Sequence, residues 1–477
     1  MIAKLKHILI WSLIAIFLLN IYLRGIIVFD EGQILNAAQK VIDGQLPYRD
    51  FQFFYTPGSI FSLALVFKLF GASVLIERLF ALLVSLISTF FIFRTVRLVT
   101  KNIYASYLSV ILFVLWSPSI INFIWPVNFC VLFGIINSYA LVKFLKTENK
   151  NYLFYAGIAS ALILLFKQNF GGAILFSNLL LFYLIPELKN KINFGKYLYG
   201  YIAVIIIFIA YLLSTNTLGI FIEEMYFVMF EKIFKEGMLA TPFIYNGAWY
   251  IKTLRTVFYL SPLIISLVAV KQTYKKNTEG LVLAIFAATF YLAGIRPTTD
   301  FVHLAPLIAI SVFPLAILYL NKKIRSLIIF TFYILMGIGL YSLFFRGYYR
   351  WEAPILKNNI FYGGKVNLFI NDKHKILFDK VIPILKKSKS EYIFIYHYSP
   401  AFYFLADKKN PTKYDNLPPE IFTTEIQKEA VRNITNAGVD TILLDKGIGD
   451  KTIFAEFIKE NYVKTHQFSE LSIWEKQ

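Results

Sequence analysis

The stretch PGSIFSLALVFKLF, residues 57–70, decides how the chain is threaded. It is apolar throughout, yet it makes only about 21 Å of helix against a bilayer hydrocarbon core of about 30 Å. Counted as a crossing, it inverts the orientation of everything after it. Eleven other apolar runs surround it, at roughly 8–29, 74–97, 104–120, 127–145, 152–166, 171–186, 197–213, 252–270, 280–295, 304–320 and 326–345. The first runs too long for a cleaved signal, has no small-x-small cleavage pattern and is followed by further runs, so it is expected to remain as a span.

Charge settles the count. With eleven spans and the amino terminus inside, each cytoplasmic turn carries two or three basic residues. They run from Lys4 and Lys6, through Arg94, Arg97 and Lys101, to Lys322, Lys323 and Arg325, against three acids in all, Glu148, Glu187 and Glu279. The outer turns are near balance. Such asymmetry is the positive-inside pattern. Residues 57–70 then form a juxtamembrane helix on the outer face, and the N-terminus is cytoplasmic.

Composition agrees. Of 477 residues, 57% are hydrophobic and 16% charged, with mean hydropathy +0.60. Soluble domains carry roughly 25% charged residues, so a cytosolic enzyme or DNA-binding protein is not expected. The net charge of +19 would point to nucleic acid in a soluble chain; here it belongs beside the cytoplasmic leaflet, and no nucleic-acid partner is expected. The single cysteine, Cys130, excludes an internal disulfide and a cysteine-based zinc site.

The expected fold is a mainly α-helical polytopic membrane protein, with a transmembrane part over 1–345 and a C-terminal extracytoplasmic α/β domain over 346–477. Two outer loops are long, 30–73 and 214–252, and the second reads as an interfacial amphipathic helix. In the tail, Tyr392–Tyr398 and Thr441–Asp445 read as strands, and Pro419–Ala437 and Lys451–Tyr462 as helices. Strands interleaved with helices indicate an α/β domain.

The first outer loop opens with Asp30 and Glu31 directly after span one. Apolar residues at helical spacing follow, Ile34, Leu35, Ala38, Val41 and Ile42, closed by Gly44. Asp30 with Gln33 has the form of a capping box, in which Asp30 accepts first-turn amide hydrogens. The same acid at the membrane surface also suits catalysis, and the two readings are compatible.

The loop continues Gly44-Gln-Leu-Pro47-Tyr48-Arg49-Asp50, then an aromatic stretch ending in Pro57-Gly58, then Phe70-Gly71 and, seven residues on, Arg78. These features resemble the GT-C-type polyprenyl-phosphate-sugar glycosyltransferases. Relatives include the dolichyl-phosphate-mannose protein mannosyltransferases and the aminoarabinose transferases of lipid A. The resemblance implies an outward-facing site that moves a sugar from a lipid phosphate carrier to an acceptor glycan, lipid or protein. It implies that Asp30 is the catalytic carboxylate, with Glu31 beside it, and that Asp50 contributes to the donor site. Phe54, Tyr55 and Thr56 stand where the lipid A enzymes carry an acidic-basic pair, which points away from an aminoarabinose substrate. The loop has no Asp-x-Asp metal motif, so a metal-free reaction without cofactor is expected.

A sugar phosphodiester departs as a stable phosphate anion, so one base suffices where ordinary glycosidases need two carboxyl groups. The departing phosphate needs positive charge, and the outer-face candidates are Arg78, Lys167, Arg255, Arg296 and His303. Lys167 lies in a tight hairpin between two spans of about 22 Å, where an unpartnered cation costs about 2.5–3.5 kcal/mol; snorkelling along a tilted helix is the alternative. Arg296, Asp300 and His303 share a face if a helix begins near Pro297. Two other functions fit a multi-span helical chain: a lipid-linked sugar transporter or flippase, and a non-catalytic envelope assembly protein. A transporter is expected to show internal symmetry and interrupted helices near the bilayer centre; no such symmetry is found, and the conspicuous polar residues cluster on one side.

Overall fold

The computed structural model describes residues 2–228, 249–295, 301–346, 354–357, 359–396, 399–415, 424–445, 453–468 and 471–477. Each of the eleven expected apolar runs is helical. In chain order the helices are α1 Ile2–Tyr22, α2 Asp30–Ile42, α3 Gly58–Phe70, α4 Val74–Thr100, α5 Ile103–Trp116, α6 Pro126–Thr147, α7 Asn151–Phe166, α8 Gln168–Leu184, α9 Lys191–Ser214, α10 Leu218–Ile222, α11 Trp249–Thr273, α12 Thr278–Gly294, α13 Phe301–Ile310, α14 Val312–Leu318 and α15 Arg325–Tyr341. Six of the described helices are long and apolar enough to cross a membrane.

Two segments depart from expectation. Span one ends at Tyr22 instead of continuing to residue 29, because Leu23 and Gly25 form backbone hydrogen bonds with Phe369. The tenth run is two helices, α13 and α14, separated at Ser311. Most of the 214–252 loop lies outside the described residues; what is described is α10 and a π-helical turn over Glu223–Val228.

The chain divides into two compact units. The first comprises Met1–Tyr22, Phe54–Ser59 and Leu79–Tyr349; the second comprises Leu23–Phe53, Ile60–Arg78 and Arg350–Gln477. The division therefore does not run simply at residue 345, and most of the 30–73 loop belongs with the tail.

In the first unit, small residues let helices approach and buried polar side chains join them, the usual means of packing in lipid. Asn137 and Asn178 exchange amide hydrogen bonds at 3.2 and 3.1 Å, Asn178 also donates to the Tyr197 hydroxyl at 3.0 Å, and that hydroxyl donates to Ser160 at 2.9 Å. This chain of bonds links α6, α7, α8 and α9. Cys130 is buried in α6.

In the second unit, the tail contributes α16 Asp372–Lys387, α17 Ala401–Ala406, α18 Thr424–Asn436 and α19 Ile453–Asn461. Strands β1 Ile360–Tyr362 and β2 Leu368–Ile370 pair antiparallel. A four-stranded sheet is ordered β3-β4-β6-β5, from β3 Phe394–Tyr396, β4 Thr441–Asp445, β5 Tyr462–Phe468 and β6 Leu471–Lys476, with β3 and β4 parallel and the remaining pairs antiparallel. Phe394, Ile434, Ile442, Phe454 and Ile458 make its core. Asp440 ties the sheet to the end of α16 by accepting from Ser388, from the Lys389 amide at 2.8 Å and from the Ser390 amide at 3.3 Å. Partial burial works against its ionisation, but these donors win and hold its carboxyl below the usual range.

Candidate active site

The first loop folds as a helix with its acids at the start, but not with the expected cap. Asp30 is itself the first helical residue and Phe29 holds the capping position. The amides of Gly32 and Gln33 go to the main-chain oxygens of Ile27 and Phe29, at 3.2 and 2.8 Å. Asp30 sits half-buried at the positive end of α2, where a carboxylate is stabilised.

Glu31 and Arg78, read from the sequence as a catalytic carboxylate and a phosphate ligand, are bonded to one another. Arg78 Nε and Nη2 donate to the two oxygens of Glu31, both at 2.7 Å, and Nη2 also donates to the Gly25 oxygen at 3.0 Å. The Ile27 amide donates to Glu31 at 2.8 Å. Side-chain exposure is 0% for Arg78 and 1% for Glu31, and Glu77 stands 3.3 Å from Arg78 Nε. The pair thus clamps the entry and first turn of α2 to residue 78. Asp30, next in sequence to Glu31, is the more accessible of the two loop acids.

Asp50 closes a turn. It accepts from the Leu46 amide and from Arg49 Nε and Nη2, each at 2.8 Å. The Arg49 side chain bonded to it holds the carboxyl below its ordinary range. In the same turn the Tyr48 amide donates to the Phe51 oxygen at 2.8 Å, and Tyr48 takes the left-handed conformation at φ 71°, a strained choice for an aromatic residue.

In the first unit, Lys167 alone forms the turn between α7 and α8. Its ammonium lies 5.1 Å from the centre of the Tyr55 ring and 5.5 Å from that of Phe170, within cation–π range. Tyr55 also meets Trp125 edge-on, with ring centres 5.4 Å apart. Gly58 makes this approach feasible, because a Cβ there would lie 2.6 Å from the Leu165 carbonyl oxygen. The Pro-Gly end of the aromatic stretch thus brings Tyr55 beside Lys167. The hydroxyls of Thr56 and Ser59 and the carbonyl of Gln168 are buried with no hydrogen-bond partner among the described residues.

Arg296 and Asp300 lie outside the described residues, as do the side chains of Arg255 and His303; the backbone of His303 is in α13. Sequence reading missed the ion pair of Lys40 with Asp415, at 2.7 Å with side-chain exposures of 8% and 3%. The two residues are 375 positions apart, and no local pattern marks either one.

Among solved structures, ArnT from Cupriavidus metallidurans in the apo state is similar at TM-score 0.61 and 12% identity, with 99% of this chain and 98% of that one covered. ArnT bound to undecaprenyl phosphate gives 0.60 and 11%, with 98% of each chain covered. The archaeal oligosaccharyltransferase AglB from Archaeoglobus fulgidus, in complex with an inhibitory peptide and a dolichol-phosphate, gives 0.51 and 10%, with 93% of this chain and 70% of that one covered. The chain therefore shares the fold of ArnT and AglB over nearly its whole length. Within it, residues 55–213, a third of the chain, match the family of dolichyl-phosphate-mannose-protein mannosyltransferases. Sequence comparison with curated proteins gives no match.

Proposed function

We propose that the chain is an integral-membrane glycosyltransferase that moves a sugar from a polyprenyl-phosphate carrier to an acceptor glycan, lipid or protein on the extracytoplasmic face. Asp30 is the general base. It takes the proton of the acceptor hydroxyl or amine as that atom bonds to the anomeric carbon, and the bond from that carbon to the carrier phosphate breaks on the opposite side, inverting configuration. No protonation of the leaving group is needed, because a phosphodiester leaves as an anion; one carboxylate serves, and no metal is required.

The observation that carries this reading is the opening of α2. The Glu31–Arg78 pair fixes the helix start, and Asp30 stands on its first turn at the more accessible position. Lys167, with Arg296 and His303, is assigned to the leaving phosphate, and Tyr55 restricts where the Lys167 ammonium can sit. Orientation rests on the basic residues of the turns assigned to the cytoplasm.

Purified protein in nanodiscs, given a labelled polyprenyl-phosphate sugar, tests the reading. Transfer or slow hydrolysis is expected from the native chain. Asp30→Asn should lower turnover about 10²–10⁴-fold with an unchanged melting temperature. An Asn variant that keeps most of its turnover removes the base role, and translocation of the donor without transfer favours a flippase.

A further inference from the structure

Strands β1 and β2 form a hairpin whose two faces differ. On one, Leu368 and Ile370 are fully buried. On the other, Phe369 pairs in register with Phe361, and their rings meet edge-on with centres 5.7 Å apart. These two side chains remain 37% and 57% exposed. A sheet that turns one side to water alternates apolar-in with polar-out, so paired phenylalanines on the exposed side indicate a neighbour other than water.

The path of the chain says which neighbour. Leu5–Tyr22 is long and apolar enough to cross a membrane, and the residues directly after it are bonded to the hairpin. The Phe369 amide donates to the Leu23 oxygen at 2.9 Å, and the Gly25 amide donates to the Phe369 oxygen at 2.8 Å, so Arg24 lies beside Phe369 as a strand partner would. Arg24 is two residues past the span, about 7 Å of extended chain, and paired strands are about 5 Å apart, which holds Phe369 within about 12 Å of the span's end. A headgroup layer of about 5–8 Å begins at that end. Aromatic side chains concentrate in this layer, where they gain apolar burial. The Arg24 guanidinium, 5.6 Å from the centre of the Phe369 ring, supplies the cation that such a ring places toward lipid phosphates. The same unit carries a second apolar surface in the exposed Leu65, Leu69 and Phe70 of α3, and the Val74 amide just past that helix donates to the Lys365 oxygen in the hairpin turn at 2.8 Å.

We propose that the β1–β2 hairpin is a membrane anchor of the tail. Phe361 and Phe369 enter the boundary between headgroups and acyl chains in the leaflet that span one reaches at Tyr22, with Arg24 at the phosphates. The occupant of this face is lipid, and the tail is held at the bilayer surface by its own hairpin as well as by the chain that leads into it.

Full-length protein in which Cys130→Ser removes the one native cysteine carries a bimane label at Phe361→Cys. It is placed in nanodiscs of phosphatidylcholine and phosphatidylglycerol, with acyl chains either ordinary or brominated near the headgroup, and iodide probes access from water. Brominated lipid should remove most of the emission, and iodide should leave it nearly intact. Phe369→Cys, on the paired strand, should behave alike, so the result does not depend on one substitution folding. Quenching by iodide without quenching by brominated lipid puts the face in water and overturns the anchor. Resistance to both quenchers means that protein, such as a second copy of the chain, covers the face, and overturns it equally. The readout needs no turnover, so it stands or falls separately from the role of Asp30.

Discussion

A guanidinium with no exposed surface needs its carboxylate. Arg78 meets Glu31 through two parallel bonds at 2.7 Å, the bidentate geometry in which arginine binds most strongly. Removing one partner of such a pair leaves a buried charge uncompensated, at about 3–5 kcal/mol, whereas replacing both by apolar groups is often tolerated. Glu31→Gln should therefore lower the melting temperature sharply in detergent, and Glu31→Leu with Arg78→Met should recover much of the loss. If the pair positions Asp30, the recovered double variant stays slow, because the first turn of α2 is no longer fixed to residue 78. A double variant with native turnover and native stability would show that the pair contributes stability alone. Sequence spacing presented these acids as neighbours; burial separates them, since Glu31 is 1% exposed and bonded to an arginine 47 residues away, whereas Asp30 is half-buried.

The beginning of α3 and the end of α7 show the same dependence between elements. At Gly58 an added Cβ would lie 2.6 Å from the Leu165 backbone oxygen, which cannot swing aside as a side chain would. Gly58→Ala should cost about 1–3 kcal/mol, the usual range for overpacking, and should raise KM for the lipid-linked donor by shifting Tyr55 from Lys167. Gly172→Ala is the control: nothing lies within 4 Å of its added Cβ, and alanine favours helix. Equal behaviour of the two variants would remove the packing argument. The apolar helices were legible from hydropathy because each is a long local signal. The buried bonds of Asn137, Asn178, Tyr197 and Ser160 were not, because an asparagine inside an apolar run looks the same whether it meets lipid or another helix.

Over the whole chain, most of the first long loop shares one compact unit with the tail. Gly32 lies so close to the tail that a Cβ would approach the Ala401 nitrogen to 2.4 Å, the Ala401 amide donates to the Val28 oxygen at 3.0 Å, and the Gln52 amide donates to the Lys413 oxygen at 2.8 Å. The buried Lys40–Asp415 pair adds to these ties. Lys40→Met should cost about 3–5 kcal/mol by stranding Asp415 and should speed proteolysis of the tail around residues 405–415. Lys40→Met with Asp415→Leu should restore most of the resistance. Unchanged proteolysis in the single variant would mean that the ion pair does not hold the tail to the loop.

Local physics settled what each segment is. Runs of apolar residues longer than a soluble core needs must become helices, because backbone polar groups in lipid have to be satisfied within the segment. The class came from the resemblance of the first loop, with its acids, Pro57-Gly58 and Arg78, to a known family, and strand and helix patterns separated the tail from the spans. Tertiary structure decided which of the loop's charged residues face each other: Glu31 with Arg78, Lys40 with Asp415, and Lys167 over Tyr55. Those partners lie 47, 375 and 112 positions apart. Hydropathy and spacing act over a few helical turns, whereas a buried charge selects its partner by geometry once the chain has folded back on itself.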